Sequence, residues 1–337
     1  MSLRLIEVTA PANYLEILTE IAAEHDMLDV FAATSEDAGK PRCMVRMVCE
    51  APQVQEVTDR VRQAVGEGGD WRAAIMPVEA MIPRLEPQQP EKRTAFAGGS
   101  MSREEILHSV AKSADLDSTF VVLVVLSTIV AAIGLLTDNV AVVIGAMVIA
   151  PLLGPNLAFA LGTALGNRKL MLKAVRTNAV GIAMTVALSV LIGVVWQEGY
   201  AAEELVARTR VGYDGIALAL ASGAAAVLSL TAGVSATLVG VMVAVALMPP
   251  AATVGIMLGA GEPGEALGAF LLLAVNVVCV NLAAQTVFVL KGIQPRTWWE
   301  KEASRAAVVT YFLMWGLFLA ALALLIGVLG GAPGHDL

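Results

Sequence analysis

The chain is poor in the residues that most often do chemistry. Three cysteines, Cys43, Cys49 and Cys279, are spread over 337 residues, too few and too scattered for a disulfide framework or a zinc site. The three histidines, His25, His108 and His335, all fall outside the long apolar segments, so a Ser–His intramembrane protease has no histidine at depth. No phosphate-binding loop and no metal-ligand cluster can be read along the chain, and no cofactor is expected. Basic charge is short as well. The 22 Lys and Arg stand against 30 Asp and Glu, leaving a net charge of −8, which argues against nucleic acid as a partner. The N-terminus opens on a polar amphipathic segment, so no signal peptide is expected. Together these absences turn the reading away from an enzyme.

What the chain has in plenty is apolar residue, 57% of the total. Charge is unevenly spread: residues 1–117 carry 32 Asp, Glu, Lys and Arg, and residues 118–337 only 20. The expectation is a soluble head over residues 1–82, a linker and interfacial helix over 83–117, and a membrane body over 118–337.

The head reads strand, helix, strand, strand, helix, strand. Leu3–Val8, Leu28–Ala33, Pro41–Cys49 and Trp71–Val78 are the strands. In the third, Cys43, Val45, Met47 and Cys49 alternate onto one face, which favours buried structural thiols over a redox pair. Tyr14, Ile17, Leu18 and Ile21, and then Val54, Val57, Val61, Ala64 and Val65, recur at helical spacing. This βαββαβ order predicts an α+β, ferredoxin-like domain. A head this small has a small core, so packing against a second copy is expected. Three roles stay open for it: a sensor of a small ligand, an oligomerisation module, or a cap that binds nothing. The stretch 83–100, rich in Pro, Gly and charge, reads as extended. Ser102 with Glu105 three residues on reads as a capping box opening an amphipathic helix at the membrane surface.

Seven spans fit the apolar body, at 118–136, 140–166, 174–196, 213–230, 235–258, 266–290 and 306–330, each near the roughly 20 residues a bilayer requires. Two connections are basic: Arg168, Lys169, Lys173 and Arg176 in one, Lys291, Arg296, Lys301 and Arg305 in the other. Both are expected at the cytoplasmic face, which puts the head inside and the C-terminus outside. Trp196 and Trp298–Trp299 fall where an aromatic belt would lie.

Within this body one pattern occurs twice. GAMVIAPLLGP at 145–155 and GVMVAVALMPP at 240–250 lie 95 positions apart and share five of eleven residues. Both carry proline where a spanning helix would run on, and proline removes a backbone donor. Freed carbonyls in lipid must find protein, water or ligand. The segments divide the body into two three-span units, 118–196 and 213–290, followed by an extra span. Three is odd, so the units would enter the membrane with opposite orientation, the plan of inverted-repeat transporters. Asp, Glu, Lys, Arg and His are missing from the middle of every span, which speaks against a proton relay.

The candidate binding set is therefore neutral. It comprises Gly145, Pro151, Gly154, Pro155 and Asn156 around the first segment, Asn178 in the span after it, Pro249 and Pro250 in the second, and Asn276, Asn281 and Gln285 in the span after that. The last three share roughly one helical stripe. They can line a path for an ion or small polar solute, or simply hydrogen-bond helix to helix, at roughly 0.6 kcal/mol each. Glycines such as Gly134, Gly145 and Gly154 more often permit close packing than bind ligands. Tyr213–Asp214 with Asp138 could form an aspartyl pair, but both lie at span ends and read more simply as helix caps.

From Asp117–Ser118 through IGLLTDNVAVVIGAMVIAPLLGP, Ile133 to Pro155, the chain resembles the prokaryotic membrane family known as domain-of-unknown-function family 389, or uncharacterised hydrophobic domain. The resemblance implies an integral protein of a bacterial or archaeal cytoplasmic membrane with its N-terminal part in the cytoplasm. It implies no reaction. Two readings stand. One is a secondary transporter or channel for a small ion or polar solute, with a regulatory or oligomerisation head. The other is a membrane sensor or assembly scaffold without transport. The lipid bilayer is a partner in both, and a homo-oligomer is expected.

Overall fold

The computed structural model describes residues 3–37, 39–66, 70–79, 81, 101, 103–196, 199–233, 236–293 and 298–330. The linker 83–100, the Ser102 capping box, the side chains of Trp298 and Trp299, and the C-terminal 331–337 lie outside the described residues or side chains. Contacts divide the chain into two compact units: Met1–Ile106 with Thr231–Gly233, and Leu107–Leu230 with Val234–Leu337.

In the first unit, strict alternation makes the leading strand. Arg4, Ile6, Val8 and Ala10 of β1 (Leu3–Pro11) are buried while their neighbours are half-exposed, the period-two pattern of a half-buried strand. There follow α1 (Leu15–Glu24), β2 (Asp29–Asp37), β3 (Lys40–Glu50), α2 (Val54–Val65) and β4 (Arg72–Val78). The sheet order is β2-β3-β1-β4, with every neighbouring pair antiparallel. Its inner face meets Leu18 and Ile21 of α1 and Val54, Val57 and Val61 of α2. Cys43 and Cys49 belong to this core. Burial pushes the Cys49 thiol up to about 11 and raises that of Cys43. Neither therefore presents a thiolate at neutral pH. The edge strand β2 leaves Val30 and Phe31 exposed.

The second unit is helical. It takes in the end of α3 (Arg103–Ser113), then α4 (Ser118–Leu136), α5 (Val140–Ile149), α6 (Leu153–Leu165), α7 (Arg168–Val195), a short α8 (Glu203–Val206), α9 (Tyr213–Thr231), α10 (Ala236–Ala260), α11 (Pro263–Leu290) and α12 (Trp298–Gly330). The starts follow local chemistry. Asp117, Asn139 and Asn167 each accept a hydrogen bond from the backbone N–H three residues on, at 2.7, 3.2 and 3.1 Å, satisfying donors that a helix start leaves unpaired. Gly166, at φ 66°, closes α6 in the left-handed conformation that glycine adopts without strain.

Among the described residues, four helices are long and apolar enough to cross a membrane: α4, α7, α9 and α11. The bent pair α5–α6 makes a fifth, and Ala246–Ala260 and Val308–Leu324 add shorter apolar stretches. The chain is thus a membrane protein by the length and composition of its helices. The basic residues expected in the connection before the third span stand instead on the first turns of α7, a helix of 28 residues. At 1.5 Å per residue, α7 exceeds the roughly 30 Å hydrocarbon core, and its surplus carries the charge.

α10 lies at the centre, packed against α7, α11, α5 and α4. Small residues make the α7 contact close. Thr185, Ser189 and Gly193 recur every fourth residue, are all buried, and meet Met248, Gly255 and Ile256 of α10. A Cβ added at Gly255 of α10 would stand 2.5 Å from Ser189 Cβ. Such small-residue seams replace hydrophobic drive in lipid.

Candidate functional site

The two proline segments do not fold alike. Ala150, before Pro151, is extended at ψ 124°, and the chain turns through 51° between α5 and α6. A proline pushes the residue before it out of the helical region. Pro155, expected to make the break, instead stands in the first turn of α6, where its missing N–H is no loss. The second segment was expected to be broken too, and it is not: Pro249 and Pro250 sit inside the continuous α10. The reason lies in the aligned residues. Pro151 has Ala246 as its counterpart, so the residue that breaks the first helix is missing from the second. Pro250 still removes the donor that Ala246 O would accept from. Asn276 Nδ2 supplies it, at 2.6 Å.

Asn156, Asn178 and Asn281 meet just after the first break. Asn156 is buried and donates to Leu152 O at 2.8 Å. Its Oδ1 accepts from Asn178 Nδ2 at 3.2 Å and from Asn281 Nδ2 at 3.0 Å. This joins α6, α7 and α11 through one side chain. The shared stripe expected for Asn276, Asn281 and Gln285 is divided in three: Asn276 faces α10, Asn281 faces α6, and Gln285 Nε2 donates to Val308 O of α12 at 3.3 Å.

Gly154 packs rather than binds. A Cβ there would stand 2.5 Å from Ser113 O, at the end of α3. Gly145 has open space about it, and Pro151 is half-buried. Asp138, in the left-handed conformation at φ 53°, accepts from the Glu204 N–H at 2.8 Å and fastens α8. Asp214 stands in the first turn of α9.

A cavity of about 450 Å³ opens beside the second segment. Pro250, Asn276 and Ser222 line one part of it, each near the middle of its helix, and Arg208, Arg210 and Asp214 line another, before and at the start of α9. Arg208 pairs with Glu204 at 3.1 Å, while its Nε is buried without a partner. The cavity thus joins a charged end, with both signs present, to a neutral polar floor. Arg208 and Arg210 are not among the residues that the sequence singles out for a site. The signal that marks them is their position beside Gly212 and Gly215, where the chain enters a span.

The corresponding place in the first segment is filled. Counting back 95 positions, Ser222 becomes Ser127, Pro250 becomes Pro155 and Asn276 becomes Gly181. Ser127 is buried and donates to Val124 O. A Cβ added at Gly181 would lie 2.8 Å from Leu152 Cδ2 and 3.0 Å from Phe120 Cζ. The end of α3 closes over this packing. Thr177 donates to Ala114 O at 2.9 Å, and Lys173 donates to Ala111 O at 3.0 Å and pairs with Asp115 at 2.7 Å.

A family model described as "Domain of unknown function (DUF389)" matches residues 147–282. The match begins inside the Ile133–Pro155 run that carried the resemblance. It takes in Pro151, Asn156, Asn178, Pro250, Asn276 and Asn281, while Gln285 lies just past its end. The chain is similar to an uncharacterized protein of Methanocaldococcus jannaschii, 29% identical over 327 residues, which cover 97% of this chain and 99% of that one. No solved structure matches.

Proposed function

We propose that the helical unit carries a small ion or polar solute across a bacterial or archaeal cytoplasmic membrane, as a secondary transporter or channel. The observation that supports it best is the cavity reaching from Arg208, Arg210 and Asp214 to Asn276 and Ser222 at mid-helix. A solute path needs polar lining at depth without the full cost of a buried charge, and this floor is neutral.

The reading takes α4 to α7 and α9 to α11 as inverted repeats. Their lengths support it: α4 and α9 have 19 residues each and begin 95 positions apart, and α7 and α11 have 28 each and are again 95 apart. The difference between the repeats then acquires a meaning. One polar cavity is open and its counterpart is packed shut, the asymmetry that alternating access requires. The head is taken as cytoplasmic, from the basic starts of α7 and of the connection before α12. We read its β2-β3-β1-β4 order as ferredoxin-like, and its role as regulation or self-association through the exposed β2 edge.

The scaffold reading keeps one observation on its side. Asn276 already satisfies the carbonyl that Pro250 frees, as an interhelical contact would. Solute flux in proteoliposomes separates the two. Transport predicts flux of some small ion or polar solute by the wild type, lost or reduced in a folded Ser222→Leu variant. A scaffold predicts no flux above empty liposomes.

A further inference from the structure

Asn281 and Gln285 stand one turn apart on α11, 3% and 0% exposed. Their amide orientations follow from their partners. Asn281 Nδ2 lies 2.8 Å from Val277 O and 3.0 Å from Asn156 Oδ1. Asn156 is itself oriented by donating to Leu152 O. Gln285 Nε2 lies against Val308 O. Carbonyl oxygens only accept, so the atoms facing them are nitrogens. Each side chain therefore has its oxygen left over, and Asn281 Oδ1 and Gln285 Oε1 are both buried without a donor.

Interhelical hydrogen bonding does not account for this pair. Such bonding matches donors to acceptors, whereas these are two acceptors one turn apart. A buried acceptor left unpaired costs about 1–3 kcal/mol, and lipid supplies no donor. Residues four apart on a helix have Cβ atoms about 5–6 Å from each other, within reach of a common ion. The chemistry of the pair restricts that ion. Divalent-cation sites are built around at least one carboxylate, and among the described residues no group of His, Cys, Asp or Glu could hold a metal. Neutral carbonyl-type oxygens are the ligands of potassium filters and of sodium sites in transporters.

We propose that Asn281 Oδ1 and Gln285 Oε1 are two ligands of a desolvated monovalent cation of the sodium or potassium class, held where α11 packs on α6 and α12. In role, this rests on the transport reading and names the ion that is coupled or conducted. In binding, it stands alone. The site is on a different face of α11 from Asn276, which faces the cavity.

The test is thermal unfolding of the full-length protein in detergent, in choline chloride and then in lithium, sodium or potassium chloride at equal ionic strength. The wild type is expected to gain a saturable rise in midpoint with one alkali cation over choline. Gln285→Glu keeps the shape and adds a charge; above the pH at which it ionises, it is expected to lower the half-saturating concentration about ten-fold or more. Gln285→Met is expected to abolish the response. A wild type and a Gln285→Glu variant that both unfold alike in all four salts would overturn the site and assign the two oxygens to buried water. Cation stabilisation without flux of any solute would leave the site standing and remove the transport reading. Flux with no cation dependence of unfolding would do the reverse.

Discussion

The first proline segment bends through 51° and is sealed, while the second continues as one helix beside an open cavity. The two have five of eleven residues in common, and the contrast traces to two differences, one inside the segments and one on the helix that packs against each. Pro151 against Ala246 decides whether the helix breaks. Gly181 against Asn276 decides what meets the segment from the third helix of its unit. A glycine there admits Leu152 and Phe120, and an asparagine takes the freed carbonyl and leaves room at its side. Proline by itself therefore does not mark a broken span. What matters is which carbonyl it frees and which side chain stands opposite.

The largest expected effect comes from making the second segment like the first. Ala246→Pro would remove a backbone donor from mid-helix and clash with the carbonyl one turn back, destabilising α10 by about 3 kcal/mol. Thermal unfolding reads this, and a variant as stable as the wild type would mean that α10 is already interrupted. Asn156→Leu comes next, because it strips partners from Asn178, Asn281 and Leu152 O together. Its total cost is expected near the upper end of the about 1–3 kcal/mol for one buried group left unpaired, since Asn281 Nδ2 keeps Val277 O. Asn276→Leu removes one bond to Ala246 O and is expected to cost about 1–3 kcal/mol, less than Asn156→Leu in the same assay. Thr177→Val loosens the α3 closure at Ala114 O, for about 1 kcal/mol; under the transport reading it also raises solute access to the sealed side. Smallest is the head. Cys43 and Cys49 are expected to resist thiol reagents at neutral pH until the head unfolds, as mass spectrometry of labelled protein would show.

Much of the architecture could be read from the residues because it is local. The alternation in 41–49 and the apolar run at 118–136 put β3 and α4 within a few residues of where they are expected. The proline contrast is present in the sequence too, in Pro151 opposite Ala246, but the shared Pro155 and Pro250 are the more conspicuous match. A proline in a first helical turn does no harm, and only the backbone tells that turn from mid-helix. The asparagine cluster could not be read, because Asn156 and Asn281 are 125 residues apart and nothing local joins them. The charged part of the cavity was missed for a different reason: charges at a span end look like topology signals until a fold puts space beside them.

The central claim is that the second proline segment borders an open, wet cavity while the first is sealed. It is tested most directly with single cysteines at the two matched serines, in a background with Cys43, Cys49 and Cys279 replaced by alanine. A membrane-impermeant thiol reagent is predicted to label Ser222→Cys rapidly, from the face carrying Arg210, and to leave Ser127→Cys unlabelled from either face. Equal labelling of the two, or protection of both, would contradict the account.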